Sequence, residues 1–192
     1  MFNFFAYISR MKLINRWGLM RNTHLENVQE HSLQVAIVAH ALALIKNKYF
    51  AGKIDAERVA TIAIFHEAPE VITGDLATPI KYFNPEIREA YGRIETVAGE
   101  KLLSMLPEEL MEEYRPFFVR NKEDEENWQI VKAADKICAY LKCVEELKAG
   151  NQEFEKAGNK IKGELESFQA PEVKFFLENF VPGFSLTLDE LN

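Results

Sequence analysis

Apolar residues recur along most of this chain at the three-and-four spacing of helices, and almost nowhere at the alternation of strands. Between positions 28 and 45 the apolar set Val28, Leu33, Val35, Ile37, Val38, Leu42 and Ile45 covers so much of the surface that it predicts a central helix, with Gly52 closing the connection after it. Asp55 is placed to cap a second helix carrying Val59, Ile62, Ala63 and Phe65. Pro69 restricts Ala68 and ends that helix close to His66 and Glu67. The run TGDLATPIKYF, positions 73–83, mixes Gly, Pro and polar residues without a period and reads as a loop. A third helix starts at Pro85 and leads through Ile87, Tyr91, Ile94, Val97, Ala98 and Leu102 towards Leu106, followed by a short amphipathic piece after Pro107. Positions 127–147 form another, with Ile130, Val131, Ala134, Ile137, Tyr140, Leu141 and Val144 on its apolar side. Weaker helical stretches at 154–168 and 171–180 precede the tail PGFSLTLDELN, and the charge run 122–126 reads as a solvated turn. The fold class these elements predict is all-α.

Composition narrows the picture. A chain of 192 residues with 47% apolar and 28% charged residues suits one globular domain, and no linker or repeat divides it. The longest nearly apolar stretch, 35–45, is broken by His40 and falls short of the ~20 residues that span a bilayer. The apolar start lacks a basic segment ahead of it, so no secretion signal is expected. Cys138 and Cys143 lie five apart on one helix and cannot pair with each other, which suits a reducing cytoplasm. With 23 Lys+Arg against 30 Asp+Glu the net charge is -7, which argues against nucleic acid and anionic membranes as partners. An anionic substrate therefore needs a local cation.

Four groups from three helices could supply one: His31, the adjacent pair His66 and Glu67, and Asp135. Two imidazoles with two carboxylates suit a divalent transition ion, Co, Mn, Fe or Zn. Each residue also has an ordinary structural reading. His31 could be a helix-start histidine, and Asp135 an ion-pair partner of Lys132 or Lys136.

The segments EHSLQVAIVAHAL, FHEAPE, TGDL..PIKYF and AADKICAYLKCVEEL stand in the order and spacing of an HD-domain phosphohydrolase. With SRMKLINRWGLMRN ahead of ENVQEHS, and the closing FVPGFSLTLDEL, the chain resembles the bacterial YfbR-type 5'-deoxynucleotidases over nearly its whole length. That resemblance implies a single-domain HD helical bundle over 1–192, its core at about 28–148, with the N-terminal segment giving substrate residues and the C-terminal helices packing on the core. It implies a homodimer and metal-dependent hydrolysis of deoxyribonucleoside 5'-monophosphates. The metal ligands it implies are His31, His66, Glu67 and Asp135. Arg16 would orient the phosphate and Trp17 would pack on the sugar where a 2'-hydroxyl would lie. Asp75, Leu76, Ala77 and Thr78 would form the substrate loop, with His31, Glu67 and Asp135 also facing substrate. Arg16 and Glu70 would serve catalysis, Glu70 by orienting or deprotonating the attacking water. Lys81 is a second candidate anion contact, and His24 and His40 match no site position.

One position departs from the pattern: the His-Asp doublet is His-Glu here, the extra methylene moving the carboxylate by ~1.5 Å. Ligation by Glu67 is the reading carried forward, against a shifted metal preference or a weakened site. Two other functions compete, namely an HD phosphohydrolase acting on a triphosphate or signalling nucleotide, and a non-catalytic metal- or nucleotide-binding helical dimer.

Overall fold

A computed structural model describes residues 1–81 and 83–191. Tyr82, within the loop read at 73–83, and Asn192, the last residue of the expected domain, lie outside the described residues. Among the described residues there is no strand, only an isolated antiparallel bridge between Asn15 and Asn27. The all-α expectation holds. The helices are α1 (Phe4–Ile8), α2 (Val28–Tyr49), α3 (Ala56–Phe65), α4 (Glu70–Thr73), α5 (Thr78–Lys81), α6 (Pro85–Leu103), α7 (Glu108–Tyr114), α8 (Glu125–Lys148), α9 (Glu155–Glu166) and α10 (Pro171–Asn179).

Local chemistry fixes where these helices begin. Asn27 accepts from the N–H groups of Gln29 and Glu30 while Glu30 reaches back to the Asn27 N–H, a capping box that sets the first turn of α2. Asp55 caps α3 through the Arg58 N–H, and Asn84 caps α6 through that of Ile87, with Pro85 in the first turn. α2 is the central element and packs against α3, α8 and α10. Leu42, Ile62, Ile137 and Leu141, all fully buried, form the middle of that core, where truncating one leucine to alanine typically costs about 2–5 kcal/mol.

A second, smaller core gathers Phe4, Met11, Val28, Ala68, Leu102, Leu103 and Leu106. Phe4 stands edge-on to Tyr114 and Phe118, which explains α1, too short to leave a period in the sequence. α2 belongs to both cores, Val28 to the smaller and Val35 to the larger. His31 lies between those two positions.

Three local expectations are corrected. The loop at 73–83 contains the single turn α5, which at four residues is too short for any hydrophobic period. The charge run 122–126 is not wholly solvated, because Asp124 is buried and grips Arg58 through two 2.5 Å hydrogen bonds. And α2, at 22 residues, is long and apolar enough by length and composition to cross a bilayer, although 56% of its most apolar window is packed inside the bundle.

Candidate active site

The N-terminal segment closes on itself before α2 begins. Arg16 N–H donates to the Glu26 carbonyl and Val28 N–H to the Ile14 carbonyl, both at 2.9 Å, so the intervening residues form a loop pinned at its base. Trp17 sits in this loop at φ +58°, a left-handed conformation costly for a bulky aromatic, about 1–2 kcal/mol. Asn22 Nδ2 and the Met20 N–H both donate to the Trp17 carbonyl and hold the turn. The far side of the loop rests on α8: the buried Glu146 carboxylate accepts from the Thr23 N–H and hydroxyl, the His24 N–H, Asn151 Nδ2 and Lys142 Nζ.

Against this loop lie His31 from the first turn of α2, His66 and Glu67 from the turn after α3, and Asp135 from the middle of α8. One donor atom of each lies within 4.8 Å of the others. His66 Nδ1 donates to the Ala63 carbonyl at 2.7 Å, which leaves its Nε2 as a lone pair facing the cluster. That Nε2 and Glu67 Oε2 are both buried and have no hydrogen-bond partner. Both are acceptors and cannot satisfy each other, whereas a cation would satisfy both. The donor set fits a divalent metal.

Glu67 divides its two oxygens. Oε1 accepts from Arg16 Nη1 at 2.5 Å, and Oε2 lies 3.8 Å from His31 Nε2. The longer side chain thus reaches the arginine and the imidazole together. Asp135 Oδ1 stands 3.0 Å from His31 Nε2 rather than pairing with a neighbouring lysine, and Lys136 pairs instead with Glu164. Arg16 is no surface ion pair either, with 12% of its side chain exposed between Glu67 and Glu26.

Electrostatics follow from this packing. Burial alone would push His31 down, but the Glu67 carboxylate, with Asp135 hydrogen-bonded to the ring and Glu26 facing it at 3.6 Å, pushes it up to about 9. Burial pushes His66 down, so it is a neutral ligand-type imidazole. Asp135, despite burial, is held well below the usual carboxylate range by His31. Burial first, then the Glu67 and Asp75 carboxylates, pushes Glu70 up to about 9, and its Oε2 is buried without a partner.

Asp75 to Thr78 follow Gly74, whose φ of +72° turns the chain out of α4. Tyr91 fixes that exit by donating to the Gly74 carbonyl at 3.1 Å. Asp75 is half-buried and raised by burial, which the attraction of Arg16 does not fully offset. Lys81 is paired with Glu95 at 2.8 Å and lies over the Tyr91 ring, so it holds α5 to α6. His24 contributes its backbone to the Glu146 anchor, and His40 lies on α2 outside the cluster. A cavity of about 480 Å³ between α2, α8 and α10 contains none of the cluster residues.

Sequence reasoning missed Glu26. Its Oε2 accepts from Arg16 Nε and from Trp17 Nε1, each at 3.2 Å, and its Oε1 faces His31 Nδ1 at 3.6 Å. One glutamate in LENVQEHS carries no signal that separates it from a solvated helix-start acid. Its partners appear only when the loop closes.

The sequence profile of the YfbR-like 5'-deoxynucleotidases matches residues 3–184. A 5'-deoxynucleotidase of Vibrio vulnificus (strain YJ016) is 58% identical over 190 residues, 99% of this chain and 98% of that protein. Among solved structures, an HD-domain phosphohydrolase from Listeria innocua superposes with a TM-score of 0.83 at 22% identity, covering 95% of this chain and 88% of that one. The cyanophage S-2L HD phosphohydrolase, bound to dA and one catalytic Zn2+ ion, gives a TM-score of 0.61 at 19% identity, covering 92% and 95%.

Proposed function

This chain belongs to the YfbR-like 5'-deoxynucleotidase family, and from that membership together with the site we infer how it works. It is a phosphoric monoester hydrolase that cleaves deoxyribonucleoside 5'-monophosphates to deoxynucleoside and phosphate. It depends on a divalent metal, for which His31, His66, Glu67 and Asp135 are the ligands we propose. Of the ions considered, Zn is favoured by the ion in the cyanophage enzyme, and Mn, Co and Fe suit the same N2O2 set. When bound, such an ion polarises the phosphoryl group and lowers the pKa of water.

The protein residues do the rest. Arg16 turns its guanidinium from Glu67 towards the phosphate, with planar paired hydrogen bonds that lysine would not reproduce. Trp17, wedged on Phe154 with ring centroids 5.3 Å apart, presents its indole to the sugar and leaves no room for a 2'-hydroxyl. The loop Asp75, Leu76, Ala77 and Thr78 supplies the remaining substrate contacts, its Asp75 carboxylate within electrostatic reach of Arg16 and Glu67. Hydrolysis joins the hydroxyl of water to phosphorus and puts a proton on the 5'-oxygen as the P–O bond breaks. Glu70 is the group we assign to this proton traffic, orienting or deprotonating the attacking water and passing that proton on to the 5'-oxygen, so that the two parts of the water end on phosphorus and on the leaving group.

The observation that carries this reading is Arg16 resting on a carboxylate of the metal-ligand cluster, a phosphate-binding cation beside a metal site. Its test is phosphate release from dAMP and AMP by metal-stripped protein with Mn, Co, Mg or Zn added back. Metal-dependent release favouring dAMP is expected, and Arg16→Ala should lose turnover while keeping fold and metal content. Release without added metal, or an Arg16→Ala variant as active as wild type, overturns it.

We also propose a homodimer working in the cytoplasm. Leu33, Ile37 and Leu44, at i, i+4 and i+11 on α2, are 60%, 63% and 48% exposed and form an apolar stripe suited to a second copy. The free, buried Cys138 and Cys143 suit a reducing compartment. Ile37→Glu should halve the mass seen by light scattering.

A further inference from the structure

Three structural roles converge on Glu26, which belongs to neither the expected metal ligands nor the expected substrate contacts. The residue is 9% exposed and lies at the closing point of the N-terminal loop, two positions ahead of α2. Its backbone carbonyl receives the Arg16 N–H, so the main chains of the two residues are already fixed to each other. The carboxylate then divides. Oε2 receives Arg16 Nε and Trp17 Nε1, the two side chains read as substrate contacts, while Oε1 faces Nδ1 of His31, whose other nitrogen faces the metal-ligand cluster.

We propose that Glu26 is the positioning residue that ties the metal site to the deoxyribose-phosphate site. The inference rests on the proposed roles of Arg16, Trp17 and His31. It assigns each oxygen a task. Oε1 keeps the proton of His31 on Nδ1, so that Nε2 presents a lone pair to the ion, the arrangement in which carboxylates behind ligating histidines raise affinity and fix the ring. Oε2 fixes the plane of Arg16 by holding Nε, which leaves the terminal nitrogens to turn between Glu67 and a phosphate. The same oxygen holds the indole edge of Trp17 and so sets the face that meets the sugar. Among the described residues no other carboxylate lies on the Nδ1 side of His31, since Asp135 and Glu67 both face Nε2. Among the described residues no other side chain accepts from Trp17 Nε1. No neighbour duplicates the function.

The consequence is a coupled phenotype. Glu26→Gln is nearly isosteric and keeps an oxygen that can accept from Arg16 or Trp17, but it presents a neutral amide to His31. It should bind Co2+ 10- to 100-fold more weakly than wild type, the usual effect of removing a partner from behind a metal ligand. Its KM for dAMP should rise about tenfold or more, and its preference for dAMP over AMP should shrink towards unity, because the indole edge is no longer held. The thermal midpoint should stay within a few degrees of wild type. A residue that only stabilises the loop would lower the midpoint and the active fraction while leaving Co2+ affinity, KM and the dAMP/AMP ratio of the folded protein unchanged.

The experiment is a Co2+ titration of metal-stripped wild type, Glu26→Gln and Arg16→Ala, followed by kcat and KM for dAMP and AMP at saturating Co2+. Loss of metal affinity together with loss of deoxyribose preference in Glu26→Gln supports the proposal. Wild-type values for either property overturn it, since the two oxygens are then not coupled. Should Glu26→Gln fail to fold, the proton spectrum of Zn-loaded wild type decides: a His31 Nδ1–H shifted far downfield and slow to exchange, as when bonded to a carboxylate, supports the role, and one at the position of an unbonded imidazole N–H overturns it. A wild type without metal-dependent dAMP hydrolysis, or an Arg16→Ala variant with unchanged KM, refutes the underlying reading of the site instead. The two failures are distinguishable.

Discussion

The buried pair Lys142 and Glu146 gives a sharp test of how the N-terminal loop is held. Glu146 is 1% exposed and collects two backbone N–H groups, a hydroxyl, an amide and the Lys142 ammonium. Glu146→Ala removes the acceptor from all of them and leaves an ammonium buried beside the His24 carbonyl. Breaking a buried pair from one side costs about 3–5 kcal/mol. At roughly 2–4 °C per kcal/mol for a domain of this size, the thermal midpoint should fall by about 6–20 °C. Lys142→Met acts differently, because the carboxylate it leaves behind keeps its other donors, and about 1–2 kcal/mol is expected.

The asymmetry is the useful quantity. Urea unfolding of both variants, with and without metal, measures it directly, and steady-state kinetics at 20 °C follow the loop. Glu146→Ala should raise KM for dAMP, because Thr23 and His24 lead directly into the segment that carries Arg16 and Trp17. Equal costs for the two variants, or a destabilised Glu146→Ala with wild-type KM, would refute the reasoning that this carboxylate anchors the loop.

Three further outcomes are expected. Because His31 is pushed up to about 9, the metal-free site carries a proton that binding must displace. Apparent metal affinity should therefore climb up to about tenfold per pH unit between pH 6.5 and 9, measured by competition with a chelator of known proton affinity, and a flat profile contradicts it. Asp124 is held down at about 2 by Arg58, so its contribution is complete above the ordinary carboxylate value of 3.8 and is lost as pH falls from there through about 2. That loss should amount to about 1–2 kcal/mol after allowance for the exposed side of Arg58, and Asp124→Asn should abolish this part of the acid transition. Glu67→Gln keeps the side-chain length and removes the charge, and should weaken metal binding by at least about tenfold in the same titrations.

The helical character of the chain, and most of its helix starts, are written in local chemistry. Asn27 with Glu30, Asp55, and Asn84 with Pro85 satisfy N–H groups within three residues of themselves, so their effect is readable from neighbours alone. The metal-type donors were legible for another reason. Imidazoles and carboxylates in ordered motifs are chemically distinctive, and the resemblance to a known family marked which of them to choose. Local spacing could not supply the environment of each group. Asp124 in a charge run became a buried anchor because α3 brings Arg58 against it, and α1 formed because Tyr114 and Phe118 receive Phe4.

The same division holds within the active site. The sequence determined the donor types and the extra methylene at Glu67, whereas only the tertiary structure decided that one Glu67 oxygen meets Arg16 and the other faces His31. Glu26 shows the limit most clearly. Its three side-chain partners lie 10, 9 and 5 residues away, beyond any helix period, and meet it because the loop closes and α2 begins where its cap dictates. A carboxylate's charge is fixed by its chemistry, but what that charge acts on depends on distance, and the folded chain sets the distances.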